Sequence, residues 1–165
     1  MNETYTVSEL ADLIGRKRPT GWKTDAVRQL RYWTAEGVLL PEGQKHTGAG
    51  RHRRYGAETA YLGAVLLELA EMGIPIGLLK GISRELQAIS LEAIPGQGKL
   101  WRAAISGSAE VYLFCDYKLL PELPPDFLFM VYLTTPDEIL EKKGRLGDGI
   151  SAIVVNLTTI FRWMR

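Results

Sequence analysis

Basic side chains concentrate in one short part of this sequence, and guanidinium and ammonium groups are well suited to binding phosphate. Residues 16–55 contain ten lysines and arginines against three acidic residues, a net charge of +7. Residues 1–15 and residues 56–165 each contribute −3, so the whole chain of 165 residues carries only +1. A nearly neutral protein with one concentrated basic region is typical of a DNA-binding module.

Two segments hold the side chains suited to DNA: a predicted helix around residues 24–36 and a basic hairpin that follows it. Arginine forks fit phosphate oxygens and guanine edges. The candidate DNA-binding residues are Lys23, Thr24, Arg28, Arg31, Tyr32, Lys45, His46, Arg51, Arg53, Arg54 and Tyr55. Two roles stay open for Tyr55, which either docks the hairpin on the domain or bonds to a phosphate.

The elements that position these residues begin with a predicted helix over residues 6–15. Thr6 and Glu9 have the spacing of a capping box, and Gly15 is expected to end the helix. A second helix is predicted from Thr24, as its N-cap, to Glu36, with Gly37 just beyond it. At about 100° per residue, its apolar and basic residues fall on opposite sides. The apolar side comprises Val27, Leu30, Trp33 and Thr34, and the other side includes Arg28, Arg31 and Tyr32.

Residues 38–41 are predicted to form a short strand that leads into the basic hairpin, with Gly48–Gly50 at its tip. A β-hairpin after two such helices is a wing, which can lie along the DNA backbone or enter the minor groove. Further helices are predicted over residues 58–72 and 76–93. In the latter, a stripe of Leu79, Ile82, Leu86 and Ile89 has coiled-coil spacing, which favours self-association, with packing in the core as the alternative.

The order of these segments resembles the N-terminal domain of MerR-type transcriptional regulators, over about residues 5–82. The most specific matches are Arg31-Tyr32-Trp33, the run from Glu36 to Pro41, Arg53-Arg54-Tyr55, and the run from Leu69 to Ile74. The resemblance implies a winged helix-turn-helix homodimer that binds a near-palindromic promoter and distorts it so that RNA polymerase can use it. By matching position, it implies DNA contacts from Arg28, Arg31 and Tyr32 and from Arg53, Arg54 and Tyr55.

Beyond a predicted hinge at residues 94–98 the sequence becomes rich in β-branched and aromatic residues. Strands are predicted at 100–105, 109–115, 127–133 and 150–157, with a turn at 106–108, a helix at 136–145 and a final helix near the end. The predicted fold class is therefore α+β: a winged helix-turn-helix domain (1–75), a linking or dimerisation helix (76–94) and a small antiparallel β-rich domain (95–165). Trp101, Tyr112, Phe114 and Tyr132 either line an effector pocket or form the core of that domain.

Several classes of protein are excluded by what the sequence lacks. Its single Cys115 excludes an intrachain disulfide framework and a multi-cysteine metal site, and it is expected to be a buried, inert thiol. No signal segment, membrane-spanning run, catalytic constellation or phosphate-binding glycine loop is recognisable. We therefore expect a cytoplasmic protein that is not an enzyme and uses no cofactor or metal.

The leading hypothesis is a sequence-specific regulator that binds double-stranded DNA. One alternative is an architectural, excisionase-like factor that bends DNA without regulating a promoter. The other is a small-molecule sensor whose C-terminal domain carries the main activity.

Overall fold

The computed structural model describes residues 3–15, 22–42, 53–117, 129–143 and 151–164. The chain divides into two compact units, Met1–Arg84 with Trp163–Arg165, and Glu85–Arg162. This division falls within the predicted linking helix rather than at either of its ends. Among the described residues, no helix combines the length and the apolar character that a membrane crossing requires.

The first unit begins with helix α1 (Val7–Ile14), whose predicted capping box is confirmed. The Glu9 N–H donates to Thr6 Oγ1 at 3.3 Å, and the Thr6 N–H donates to Glu9 Oε2 at 2.7 Å. Two of the backbone groups at the helix start are therefore satisfied by side chains. Leu10 and Ala11 are buried, as the apolar stripe predicts.

Helix α2 (Trp22–Glu36) starts two residues earlier than predicted. The assignment of Thr24 as its N-cap was wrong, because Thr24 already lies in the first turn with its side chain exposed. The two-sided pattern is confirmed, since Leu30, Trp33 and Thr34 are buried whereas the basic side is exposed. Gly37, at φ +73°, ends the helix in the left-handed conformation that glycine tolerates best.

The predicted strand at residues 38–41 was also wrong. The backbone N–H groups of Val38 and Leu39 both donate to the Trp33 carbonyl, at 2.8 and 3.2 Å, and both side chains are buried. The Val38 carbonyl accepts from Ser83 Oγ at 2.5 Å. Val38 and Leu39 therefore complete the end of α2 and pack inward, and residues 38–41 are not part of a strand.

The base of the predicted hairpin is present in a different form. Strand β1 (Thr4–Tyr5) pairs antiparallel with β2 (Tyr55–Gly56), and a single antiparallel bridge joins Glu42 to Arg54. The Glu42 N–H donates to the Arg54 carbonyl at 2.8 Å. The segment between them, residues 43–52, lies outside the described residues, and so do its candidate residues Lys45, His46 and Arg51.

Helices α3 (Ala57–Glu71) and α4 (Ile76–Ser90) follow close to their predicted positions, separated by Gly73 at φ +85°. Helix α3 is buried on most of its surface. The α4 stripe of Leu79, Ile82, Leu86 and Ile89 is at most 3% exposed. This burial agrees with the alternative interpretation, packing in the core, whereas self-association through the helix stays a prediction.

The second unit contains a three-stranded antiparallel sheet in the order β4-β3-β5. Its strands are β3 (Tyr112–Tyr117), β4 (Phe129–Thr134) and β5 (Ser151–Asn156), and its helices are α5 (Gln97–Ser106), α6 (Pro136–Lys143) and α7 (Leu157–Arg162). Leu113 lies opposite Leu133 and Val155 in register, and all three are buried. Helices α5 and α7 contact β4 and β3, respectively, and Trp101 meets Phe161 edge-to-face at 5.1 Å.

Helix α5 overturns the prediction of a strand at residues 100–105. Gly98, Trp101 and Ala104 are buried at intervals of three residues, which is a helical stripe. Gly107, at φ +72°, caps its C-terminus, so the predicted hairpin turn at 106–108 is a helix end. The three other predicted strands and the helix after Thr135 are confirmed, with shifted ends.

At the β4 edge of the sheet, one side chain satisfies the backbone of Leu133. The Gln97 amide accepts from the Leu133 N–H and donates to the Leu133 carbonyl, at 3.2 Å for the latter. At this residue the glutamine makes the hydrogen bonds that a neighbouring strand would otherwise make.

Cys115, in the neighbouring strand β3, is buried, and burial raises the pKa of its thiol to about 12. This inert thiol is the one that the sequence predicts.

Candidate nucleic-acid interface

The exposed side of α2 presents the residues that the sequence assigns to DNA. Arg28, Arg31 and Tyr32 face solvent because the opposite side of the helix is consumed by packing. Tyr32 is 48% exposed and presents its ring and hydroxyl on the same side of the helix as the two arginines. In the part of the chain that the structure describes, the Arg31 guanidinium forms no hydrogen bond or ion pair. Its N–H groups are donors of the kind that phosphate oxygens and guanine edges accept.

Three other candidate cations are each paired with a carboxylate. Lys23 Nζ lies 2.5 Å from Asp12 Oδ2, Arg28 Nη2 lies 3.2 Å from Asp25 Oδ1, and Arg54 Nη1 lies 3.5 Å from Glu9 Oε2. All six side chains are more than half exposed. The pairs join α2 to α1, one turn of α2 to the next, and the hairpin base to α1.

Glu9 takes part in both the capping box and the pair with Arg54. The Thr6 backbone N–H, the Thr6 hydroxyl and the Arg54 guanidinium hold the pKa of the Glu9 carboxyl below its ordinary value. Thr6 makes the larger contribution, through the hydrogen bond from its backbone. Glu9 is therefore ionised at neutral pH and presents a full negative charge to Arg54.

Tyr55 is the candidate whose alternatives the structure separates. Its side chain is 1% exposed, and its hydroxyl lies 2.8 Å from Thr34 Oγ1. The side chain thus docks the hairpin base on α2, and the assignment of its hydroxyl to a phosphate was wrong, because that hydroxyl is buried. Its neighbours Arg53, partly exposed, and Arg54, exposed, stay at the surface on the same segment.

Sequence reasoning missed the three acidic partners. The spacing of Asp25 and Arg28, three residues apart on one helix, would have revealed the first pair. The pairs of Asp12 with Lys23 and of Glu9 with Arg54 span 11 and 45 residues. Only the folded arrangement of α1, α2 and β2 brings these groups together.

The aromatic residues proposed for an effector pocket lie in the second unit. Trp101 is buried against Phe161, and Phe114 is buried in a stack on Tyr132 with ring centroids 5.1 Å apart. The Tyr112 hydroxyl donates to Glu110 Oε1 at 2.7 Å, and this bond is the main reason that the pKa of Tyr112 is raised. Trp101 and Phe114 therefore serve the core, whereas Tyr112 and Tyr132 keep partial exposure.

Comparison with known proteins agrees with this geometry. Residues 5–86 match the model of the family described as MerR HTH family regulatory protein. The match covers α1 to α4 up to Leu86 and includes each described cation named above. No curated protein matches the chain.

Proposed function

Because residues 5–86 carry the helix-turn-helix region of the MerR family of DNA-binding regulators, we propose that this protein binds a near-palindromic promoter site as a homodimer. In this proposal, α2 is the recognition helix in the major groove and the hairpin after Pro41 is the wing. Arg28, Arg31 and Tyr32 contact DNA from the helix, and Lys23, Arg53 and Arg54 position it through phosphates.

The exposed side of α2 carries the proposal. It combines two arginines and a half-exposed tyrosine on a helix whose other side is locked by buried Leu30, Trp33 and Thr34. A recognition helix must be held in place by packing on one side and must present polar groups on the other. Helix α2 meets both requirements. Thr24 and the hairpin residues Lys45, His46 and Arg51 remain predicted contacts.

Homodimerisation through helix α4 remains a prediction. Recruitment of RNA polymerase to the distorted promoter belongs to the same proposal, as the consequence of dimer binding. Effector binding by the second unit remains a prediction, and among the four aromatic candidates only Tyr112 and Tyr132 offer surface for it.

Selection of binding sites from a library of random duplexes tests the proposal. We expect a motif with two inverted half-sites, spaced by about one helical turn or a multiple of it. At ~6–10 phosphate contacts, affinity for the selected duplex should fall by about 10³–10⁵ between roughly 50 and 200 mM salt. A motif with a single half-site would favour the architectural alternative, and absence of any salt dependence would refute DNA binding.

A pair of matched variants locates the interface. Arg31→Ala should weaken binding by about ten-fold or more, because it removes a guanidinium from the proposed contact surface. Arg162→Ala removes an exposed arginine from α7 in the second unit and should leave affinity within about two-fold. Equal losses in both variants would show that net charge alone, and not the α2 surface, determines binding.

A further inference from the structure

Each of the described candidate cations Lys23, Arg28 and Arg54 forms an ion pair with an acidic residue to which the proposed function assigns no DNA contact. Asp12, Asp25 and Glu9 bind the ammonium and guanidinium groups that would otherwise bind the phosphates of DNA. The remaining cation of the α2 surface, Arg31, has no such partner among the described residues. Part of the positive charge that dominates residues 16–55 is thus neutralised from within the protein.

We propose that Glu9, Asp12 and Asp25 set the affinity of the protein for DNA by acting as internal counter-charges that phosphates must displace. This inference rests on the proposed function, since it assigns these cations to DNA. The carboxylates make no DNA contact themselves. Each withholds one cation until a phosphate of the duplex replaces it.

The exposure of the pairs makes this exchange feasible. Both members of each pair are more than half exposed, and exposed ion pairs are weak and screened by salt. A duplex, with one negative charge per about 1.7 Å of its length, is a far denser source of anions than one carboxylate. The pairs therefore lower the affinity for DNA without preventing binding.

Glu9 shows that the counter-charge is permanent at neutral pH. Its carboxylate is held by the Thr6 N–H at 2.7 Å, and the same oxygen faces Arg54. The hydrogen bonds from Thr6 keep the pKa of Glu9 low, so the group stays ionised while the capping box fixes its position. Since phosphates are identical in every sequence, displacement of this kind affects all duplexes alike.

The test compares amide variants of the full-length protein in binding to a labelled random-sequence duplex of ~30 base pairs, about three helical turns. Glu9→Gln preserves the capping box, because glutamine also serves at this position. We expect Glu9→Gln, Asp12→Asn and Asp25→Asn each to tighten binding by about two- to ten-fold at low salt. Each should also steepen the dependence of log affinity on log salt, by up to about 0.9, because no displaced carboxylate is then left to take up a cation from solution.

Glu36→Gln is the matched control, because Glu36 is an exposed acid on α2 whose side chain forms no ion pair or hydrogen bond with a described residue. It removes one negative charge without releasing a cation, so its salt slope should equal that of the wild type. Asp12→Glu keeps the negative charge next to Lys23 and should therefore bind DNA with wild-type affinity. Melting temperatures, measured in parallel, identify any variant whose fold is weakened.

The proposal is overturned if the folded amide variants bind with unchanged or weaker affinity and an unchanged slope. In that case the pairs only hold α1, α2 and the hairpin base together. The proposal is also overturned if Glu36→Gln changes affinity and salt slope as much as the three amide variants do. Net charge alone would then explain the changes. Failure of the wild type itself to bind any duplex would instead refute the proposed function, and this inference with it.

Discussion

The hydrogen bond between Thr34 and Tyr55 has a direction that the geometry determines. Thr34 Oγ1 donates its only proton to the Leu30 carbonyl at 2.8 Å, so the Tyr55 hydroxyl must be the donor to Thr34. Both side chains are buried. Tyr55 therefore attaches the hairpin base to α2 through one directed bond, and Arg53 and Arg54 on the same segment stay at the surface.

Removing this bond should lower stability and leave DNA affinity unchanged. Tyr55→Phe deletes only the donor, and we expect a loss of about 1 kcal/mol in the free energy of unfolding, measured by urea denaturation. Tyr32→Phe removes an exposed hydroxyl from α2, the helix that contains Thr34, and should change the free energy of unfolding by less than about 0.5 kcal/mol. If Tyr55→Phe weakened DNA binding while stability stayed constant, its hydroxyl would contact phosphate after all.

At the scale of elements, local signals identified most helices and failed at two segments with ambiguous periodicity. Residues 38–41 form an apolar run before a proline, which suggested a short strand, but the N–H groups of Val38 and Leu39 bond to the Trp33 carbonyl and complete α2. Residues 100–105 contain Trp101 and Ile105, which suggested a strand, but the buried spacing is that of a helix. The capping box at Thr6 and Glu9 and the glycines after α2 and α3 were predictable because their signals are local. Short apolar runs are not, since packing decides between helix and strand.

The start of α5 provides a test at this scale. A methyl group added at Gly98 would lie 3.2 Å from the Ile89 carbonyl oxygen and 2.7 Å from Glu92 Cγ. The Glu92 side chain is held by its ion pair with Arg102, and its backbone is left-handed at φ 59°. We therefore expect Gly98→Ala to destabilise the second unit by about 1–3 kcal/mol, as overpacking does.

The control for this prediction is Gly77→Ala in helix α4, where an added methyl group meets nothing within 4 Å. Alanine has the higher helix propensity, so this variant should gain up to about 1 kcal/mol. The midpoint of urea unfolding, followed by circular dichroism, shows whether each variant is more or less stable than the wild type. A stable Gly98→Ala protein would mean that α5 moves away from the end of α4 at little cost.

At the scale of the whole molecule, the positive charge of the candidate interface was its most predictable property. The acidic partners of those positive charges were the least predictable. The +7 of residues 16–55 is a sum over the sequence, and the opposite faces of α2 follow from helical geometry. Glu9 and Asp12 carry charge that looks remote in the sequence, yet folding brings each of them to a candidate cation. Long-range electrostatic partners cannot be deduced without the packing of α1 against α2, so the sequence overstates the free positive charge.

The division of the chain into two compact units predicts which backbone amides DNA binding protects from hydrogen exchange. A ligand stabilises only the structure to which it binds, by about 2.7 kcal/mol when its concentration is a hundred times the dissociation constant. With saturating duplex, amides buried in α2 and α3 should therefore exchange hydrogen up to about 100-fold more slowly, whereas those of β3, β4 and β5 keep their rates. Hydrogen exchange read by mass spectrometry measures both sets in one sample. Equal slowing in the sheet would instead show that the units open as one, or that the second unit forms the dimer contact that DNA binding requires.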